Sequence, residues 1–276
     1  MLASFLLLLP DLTVFAHAAL VLTTSLSLQA LSEAHHQSIF LQIMLGLHHM
    51  HSAKVAHRDL KPGNILLDAH CRVYLADFGL ARKLDAPLEE DPEQSARHGA
   101  TEYVVTRWYR APEVLLNCPY DLSLDVWSAG CIFAELVNRE PLFPGKDYVH
   151  QIRLICEGVG IPAVRDDDGQ PGVIPSGVLF NFLLSTPIAP RTEPPRLVPP
   201  SASENMALLL REMLQFNPID RIDTAAALDN EFLAPVQGGD WRTAVEPLPV
   251  CKEFMDPTVA QLEAEVALAA TSGAPN

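Results

Sequence analysis

VAHRDLKPGNILLDAHCRVYLADFGL, residues 55–80, carries two short motifs separated by the length of one hairpin. His57-Arg58-Asp59-Leu60-Lys61-Pro62-Gly63-Asn64 comes first and Asp77-Phe78-Gly79 second. Between them, the apolar runs Ile65–Leu67 and Val73–Ala76 flank Asp68–Cys71, which predicts two short strands around a turn. Such a hairpin returns Asn64 to the side of Asp77. Both side chains offer hard oxygen donors of the kind Mg²⁺ prefers. Lys61 is a compact cation suited to a phosphate oxygen. Either triplet alone is compatible with chance in a surface loop. Both in this order, with Lys-Pro and Asn at this spacing, are not.

The two motifs resemble the HRDLxxxN and DFG signatures of the eukaryotic protein kinases. The resemblance implies transfer of the γ-phosphate of ATP, with Mg²⁺, to a protein hydroxyl. Asp59 is then the catalytic base and Lys61 a contact to the phosphate. Asn64 and Asp77 are the metal ligands, and with Lys61 they form the cofactor-binding set. The implied fold is a protein-kinase-like α+β lobe, mostly helical, with a small catalytic β-hairpin.

Other stretches extend the resemblance. Thr101-Glu102-Tyr103 stands just ahead of VVTRWYRAPE and resembles the activation lip of mitogen-activated protein kinases of the extracellular-signal-regulated type. Phosphate on Thr101 or Tyr103 adds about two negative charges and strong acceptor oxygens. By resemblance, Arg58 and Arg82 are partners for phospho-Thr101, and Arg107 and Arg110 for phospho-Tyr103. Glu113 of Ala111-Pro112-Glu113 is expected to pair with Arg221 of FNPIDRI, and Asp125 of YDLSLDVW to hold the catalytic loop by hydrogen bonds. Val126, Trp127, Ile132, Phe133 and Leu136 are expected to pack around it, with Cys131 a small core residue.

Helical periodicity adds two elements. Ser32 can cap a helix whose apolar positions are Ile39, Phe40, Ile43, Met44 and Leu47. Ser201 and Glu204 suggest a capping box before the stripe Met206, Leu209, Leu210, Met213 and Leu214. His48 and His51, three apart, have a spacing open to a shared metal, but no acidic or cysteine ligand accompanies them at matching spacing, and packing or solvated roles are the simpler reading. Residues 161–200, with nine prolines and the run Asp166–Asp168, read as irregular loops.

Composition bounds the rest. The chain has 276 residues, 49% hydrophobic and 19% charged, enough for a sizeable core in one or two domains. A formal charge of −15 argues against general binding to nucleic acid or anionic membranes. The five cysteines form no CxxC pair, which fits a reducing compartment. Residues 1–31 are nearly uncharged, and Leu12–Leu31 is long enough to span a bilayer. Pro10, the hydroxyls of Thr23, Thr24, Ser25 and Ser27, and the lack of a basic flank argue against a span. A remnant of buried kinase sequence or an erroneous gene start is preferred for this segment, with a membrane or secretory role as the alternative.

The expected division is therefore an apolar segment 1–31, a kinase larger lobe 32–236 and a partly flexible extension 237–276. No GxGxxG loop is present, and no lysine precedes Lys54; Gly158-Val159-Gly160 is out of place for the role. The expectation is a chain whose N-terminal lobe is missing and which binds ATP weakly as given. By resemblance the function is a Ser/Thr protein kinase of the mitogen-activated type acting ahead of Pro. Its partners would be protein substrates and an upstream dual-specificity kinase, in the cytoplasm or also the nucleus. The alternative is a truncated, catalytically inactive lobe that binds signalling partners.

Overall fold

In the computed structural model, residues 20–21, 31–67, 72–84, 106–160, 174, 177–178 and 197–237 are described. Helix α1 spans Glu33–Ser52 and begins at the expected cap, Ser32. The Ser32 N–H donates to Nδ1 of His35 at 3.1 Å, and the Ser32 hydroxyl lies 2.7 Å from the same nitrogen. His35 thus occupies the place that Glu or Gln usually fills in a capping box. Ile39, Phe40, Ile43, Met44 and Leu47 are all buried. Phe40 stacks on Phe133 with ring centroids 4.1 Å apart.

Phe133 lies on α3 (Ser123–Asn138), which follows the single turn α2 (Pro112–Leu115). Every residue from Leu124 to Leu136 is buried. A helix buried on all sides is the axis of a domain, and α3 serves as one here. Helix α1 packs on it from one side and α5 (Glu204–Met213) from another. Helix α4 (Tyr148–Val159) contacts α2, and α6 (Thr224–Leu228) contacts α1. Trp127, with no exposure, and Phe143 stack at 6.0 Å within this core.

The strands are short. β3 (Ile65–Leu67) and β4 (Val73–Leu75) form the expected hairpin, with Ile65 opposite Leu75 and Leu67 opposite Val73. Its turn, 68–71, lies outside the described residues. A third strand, β1 (Leu20–Val21), pairs antiparallel with β3. The apolar N-terminal segment therefore contributes backbone to the hairpin sheet, which its composition did not announce. β2 (Val55–Ala56) pairs with β5 (Arg82–Lys83). No helix among the described residues is long and apolar enough to cross a membrane.

One sequence expectation is corrected. The cap of α5 is Ser203, not Ser201. A turn in which the Ala202 N–H reaches the Pro199 carbonyl precedes the helix. Ser203 is the extended residue that follows, and its hydroxyl accepts the Met206 N–H at 3.4 Å. The stripe itself is buried as read: Met206, Leu209, Leu210, Met213 and Leu214.

A buried ion pair ties the C-terminal helices to α2 and α3. Arg221 Nη1 donates to Glu113 Oε1 at 2.9 Å and Nη2 to Oε2 at 3.1 Å. Neither side chain is exposed. The guanidinium also donates to the carbonyls of Ser123, Gln215 and Phe216 and lies over Trp127, 5.2 Å from the ring centroid. Replacing one partner strands a buried charge, which costs about 3–5 kcal/mol. Arg221→Leu is therefore expected to lower the denaturant midpoint sharply, and Glu113→Leu/Arg221→Leu less than the sum of the single changes. Additive single effects in equilibrium denaturation would contradict a coupled pair.

Candidate active site

The loop between β2 and the 3₁₀ turn Pro62–Asn64 is held from below by one carboxylate. Asp125, in the first turn of α3, has no exposure. Its Oδ2 accepts the backbone N–H of His57 at 2.7 Å, and its Oδ1 that of Arg58 at 2.9 Å. His51, at the end of α1, brings Nε2 to 3.0 Å from Oδ2. The His57 ring reaches the Ala76 carbonyl at 3.0 Å, linking this loop to the segment carrying Asp77. Arg58 has φ +70°. For a non-glycine residue this left-handed backbone is disfavoured. Its bonded N–H fixes it and turns the next residue, Asp59, across the loop.

Asp59 is 9% exposed. Lys61 Nζ donates to its Oδ2 at 2.8 Å. Asn64 Nδ2 donates to the Asp59 carbonyl at 2.7 Å and to Oδ2 at 3.1 Å. Two donors thus fix one carboxylate oxygen, and Asp59 Oδ2 is oriented before any substrate arrives. The Asn64 amide nitrogen faces Asp59, so its oxygen is turned to the other side. The Asn64 carbonyl accepts the Ala76 N–H at 2.9 Å, next to Asp77. Asp77 is exposed, with φ 62°, and its Oδ1 accepts the Gly79 N–H at 3.3 Å. One amide and one carboxylate oxygen at the hairpin end are donors of the kind that would suit Mg²⁺. Among the described residues no cluster of three His, Cys, Asp or Glu could hold a metal alone.

The histidines of α1 have structural partners. His48 Nδ1 lies 3.0 Å from the Thr224 hydroxyl, and His51 is committed to Asp125. Gly158-Val159-Gly160 forms the C-terminal end of α4, with Gly160 at φ +94°.

Thr101 and Tyr103 lie outside the described residues. Of the four arginines, Arg82 sits on β5 opposite Ala56, two residues before Arg58. The Arg58 guanidinium lies 5.8 Å from the centroid of the Tyr120 ring. Arg107 and Arg110 belong to a different segment, joined by the Arg110 N–H to the Arg107 carbonyl at 3.2 Å.

Sequence reasoning did not see how the 3₁₀ segment Thr106–Tyr109 is fixed. Tyr109 is bound at both ends: its carbonyl accepts the Ser128 hydroxyl at 2.8 Å, and its own hydroxyl donates to Glu135 Oε2 at 2.6 Å. Trp108 Nε1 donates to the Gly145 carbonyl at 3.0 Å. Gly145 in turn gives its N–H to Gln151 Oε1 at 3.1 Å, and a Cβ there would sit 2.3 Å from that oxygen. No local signal could have found the bonds of Trp108 and Tyr109, because each joins residues far apart in the chain.

A protein-family model, "Protein kinase domain", matches residues 15–233. The chain belongs to the protein kinase family. The match reaches past β1, so the strand at Leu20–Val21 lies inside the kinase-like region. The chain is 46% identical over 209 residues to mitogen-activated protein kinase 5 of Oryza sativa subsp. indica, an alignment covering 74% of this chain and 52% of the relative. It is 42% identical over 239 residues to mitogen-activated protein kinase 4 of Arabidopsis thaliana, covering 84% and 58%. With mitogen-activated protein kinase PMK11 of Pyricularia oryzae it shares 42% over 229 residues, covering 83% and 61%. The chain thus spans little more than half the length of the curated relatives it matches.

The Tyr109–Glu135 bond yields a pH test. Burial pushes the Glu135 carboxyl above its ordinary 4.5, against the opposing pull of the Tyr109 hydroxyl. Folding therefore favours its neutral form. That contribution is complete below the ordinary value and is lost as pH rises through the folded one. The stability of wild type relative to Glu135→Gln should fall as pH rises from 4.5. Tyr109→Phe should cost about 1–3 kcal/mol by leaving the buried acceptor unmet. Thermal melts across this pH range check both, and a wild-type advantage that grows with pH would contradict the assignment.

Proposed function

We propose that residues 32–236 form the catalytic lobe of a Ser/Thr protein kinase of the mitogen-activated type. Its reaction is transfer of the γ-phosphate of Mg·ATP to Ser or Thr ahead of Pro. The single observation that carries this reading is the oriented carboxylate of Asp59, between Lys61 and Asn64 on a loop bonded to Asp125. The similarity to mitogen-activated protein kinases supports the subclass.

Bound Mg·ATP supplies the phosphoryl group and neutralises charge on its oxygens. The chain's own residues do the rest. Asp59 accepts the proton of the attacking hydroxyl at its carboxylate. Asn64 and Lys61 hold that carboxylate in place, and Lys61 would contact a phosphate oxygen of bound nucleotide. The oxygens of Asn64 and Asp77 would hold the metal. Thr101 and Tyr103 are the regulatory positions. Phosphate on Thr101 draws Arg58 and Arg82 together, and phosphate on Tyr103 draws Arg107 and Arg110. An upstream dual-specificity kinase adds both, and the substrates are proteins of a signalling cascade.

A radiolabel assay with Mg·ATP and a peptide bearing Ser-Pro tests the reading. Asp59→Asn should lower transfer by about 10²–10⁴-fold, the usual contribution of a general base. Equal rates for wild type and Asp59→Asn would overturn the assignment. Undetectable transfer by both would favour a non-catalytic lobe that binds signalling partners.

A further inference from the structure

We propose that Tyr120 is a positioning residue that holds the Arg58 guanidinium in place for a phosphate. The inference rests on the reading of Arg58 as a phosphate partner and names what fixes that side chain. The Arg58 guanidinium lies 5.8 Å from the centroid of the Tyr120 ring, within the range of a cation–π contact. Tyr120 is 3% exposed and Arg58 is half-buried. Little water screens the contact, and a ring attracts a cation more strongly when the pair is desolvated.

Arg58 is thus held at both ends. Its backbone, at φ +70°, donates its N–H to Asp125 Oδ1 at 2.9 Å. Its side chain ends at Tyr120, in the stretch that leads into α3 and Asp125. Tyr120 is itself fixed on either side. The Cys118 N–H donates to the Glu113 carbonyl at 2.8 Å. Asp121 Oδ1 accepts the Ser123 N–H at 2.8 Å, and the Ser123 carbonyl accepts Arg221 Nη1 at 2.9 Å. Both anchors lead to the buried Glu113–Arg221 pair, so the ring is registered against the core.

The chemistry of the contact suits the role. An arginine side chain has large rotamer freedom, which binding must remove. A carboxylate in the place of Tyr120 would fix the guanidinium but take up its N–H fork with charge-assisted bonds. An aromatic face attracts the cation without a bidentate bond, and so does not compete with a phosphate for the fork. Arg82, by contrast, is exposed on β5. Of the two arginines read as partners of one phosphate, Arg58 is the preset half.

Nuclear magnetic resonance on the 276-residue chain, without nucleotide, tests this apart from catalysis. In wild type the Arg58 side-chain protons should resonate upfield of their random-coil positions, because they lie over an aromatic face. Tyr120→Phe should keep that displacement. Tyr120→Leu, which stays apolar but has no π face, should abolish it. The phosphate probe is N-acetyl-O-phosphothreonine methylamide, titrated and followed by its phosphorus resonance. Its Kd should be at least about threefold weaker for Tyr120→Leu and unchanged for Tyr120→Phe. Arg58→Ala should weaken it at least as much as Tyr120→Leu does. Random-coil positions for the Arg58 protons in wild type would overturn the proposal, and this outcome is readable even where Tyr120→Leu fails to fold. Equal affinity in wild type and Tyr120→Leu, with Arg58→Ala weakened, would overturn the proposal alone. Equal affinity in wild type and Arg58→Ala would overturn the reading of Arg58 as a phosphate partner and the proposal with it.

Discussion

A carboxylate with no access to water holds this structure's working parts together. Asp125 is buried in the first turn of α3, where the helix dipole favours its charge. Buried charge is tolerated only when it is fully bonded. The bonds it makes are to the backbone of His57 and Arg58 and to the ring of His51. Hydrogen bonds to a charged group are each worth about 1.5–3 kcal/mol, enough to offset the left-handed backbone of Arg58. The loop cannot leave without stranding the charge, so Asp59 inherits its position from the core of the domain.

The same helix fixes the opposite wall. Ser128 and Glu135 hold the two ends of Tyr109, and Asp125 stands one turn before Ser128. Spacings of three and seven residues place Asp125, Ser128 and Glu135 along one side of α3. The catalytic-motif loop and the Thr106–Tyr109 segment are thus registered against a single rigid element. Arg221 and Glu113 close the base by joining the chain's C-terminal part to α2.

What the sequence disclosed follows from how far its signals reach. HRDLKPGN and DFG are compact, and the hairpin between them is short, so Asp59, Lys61, Asn64 and Asp77 were nameable, and their proximity could be argued from strand length. The apolar stripes of α1 and α5 were legible because periodicity is local. Glu113–Arg221 and the role of Asp125 came only through resemblance, since residues 108 apart carry no shared local mark. Trp108–Gly145, Tyr109–Glu135 and His51–Asp125 were invisible for the same reason. Ser201 was read as the cap because Ser201 and Glu204 match the box in spacing and residue types; a preceding turn, which pattern does not encode, moved the cap to Ser203. β1 escaped notice because two residues are too few to show alternation.

The central claim is that the Asp125-anchored loop and the hairpin end together present a metal–phosphate site. Anomalous diffraction from crystals of the chain grown with Mn²⁺ and a non-hydrolysable ATP analogue tests it most directly. The account predicts a manganese peak within coordinating distance of both the Asn64 side-chain oxygen and the Asp77 carboxylate, on the side of Asn64 turned away from Asp59. A bound metal contacting neither residue, or nucleotide electron density remote from Asp59, would contradict it.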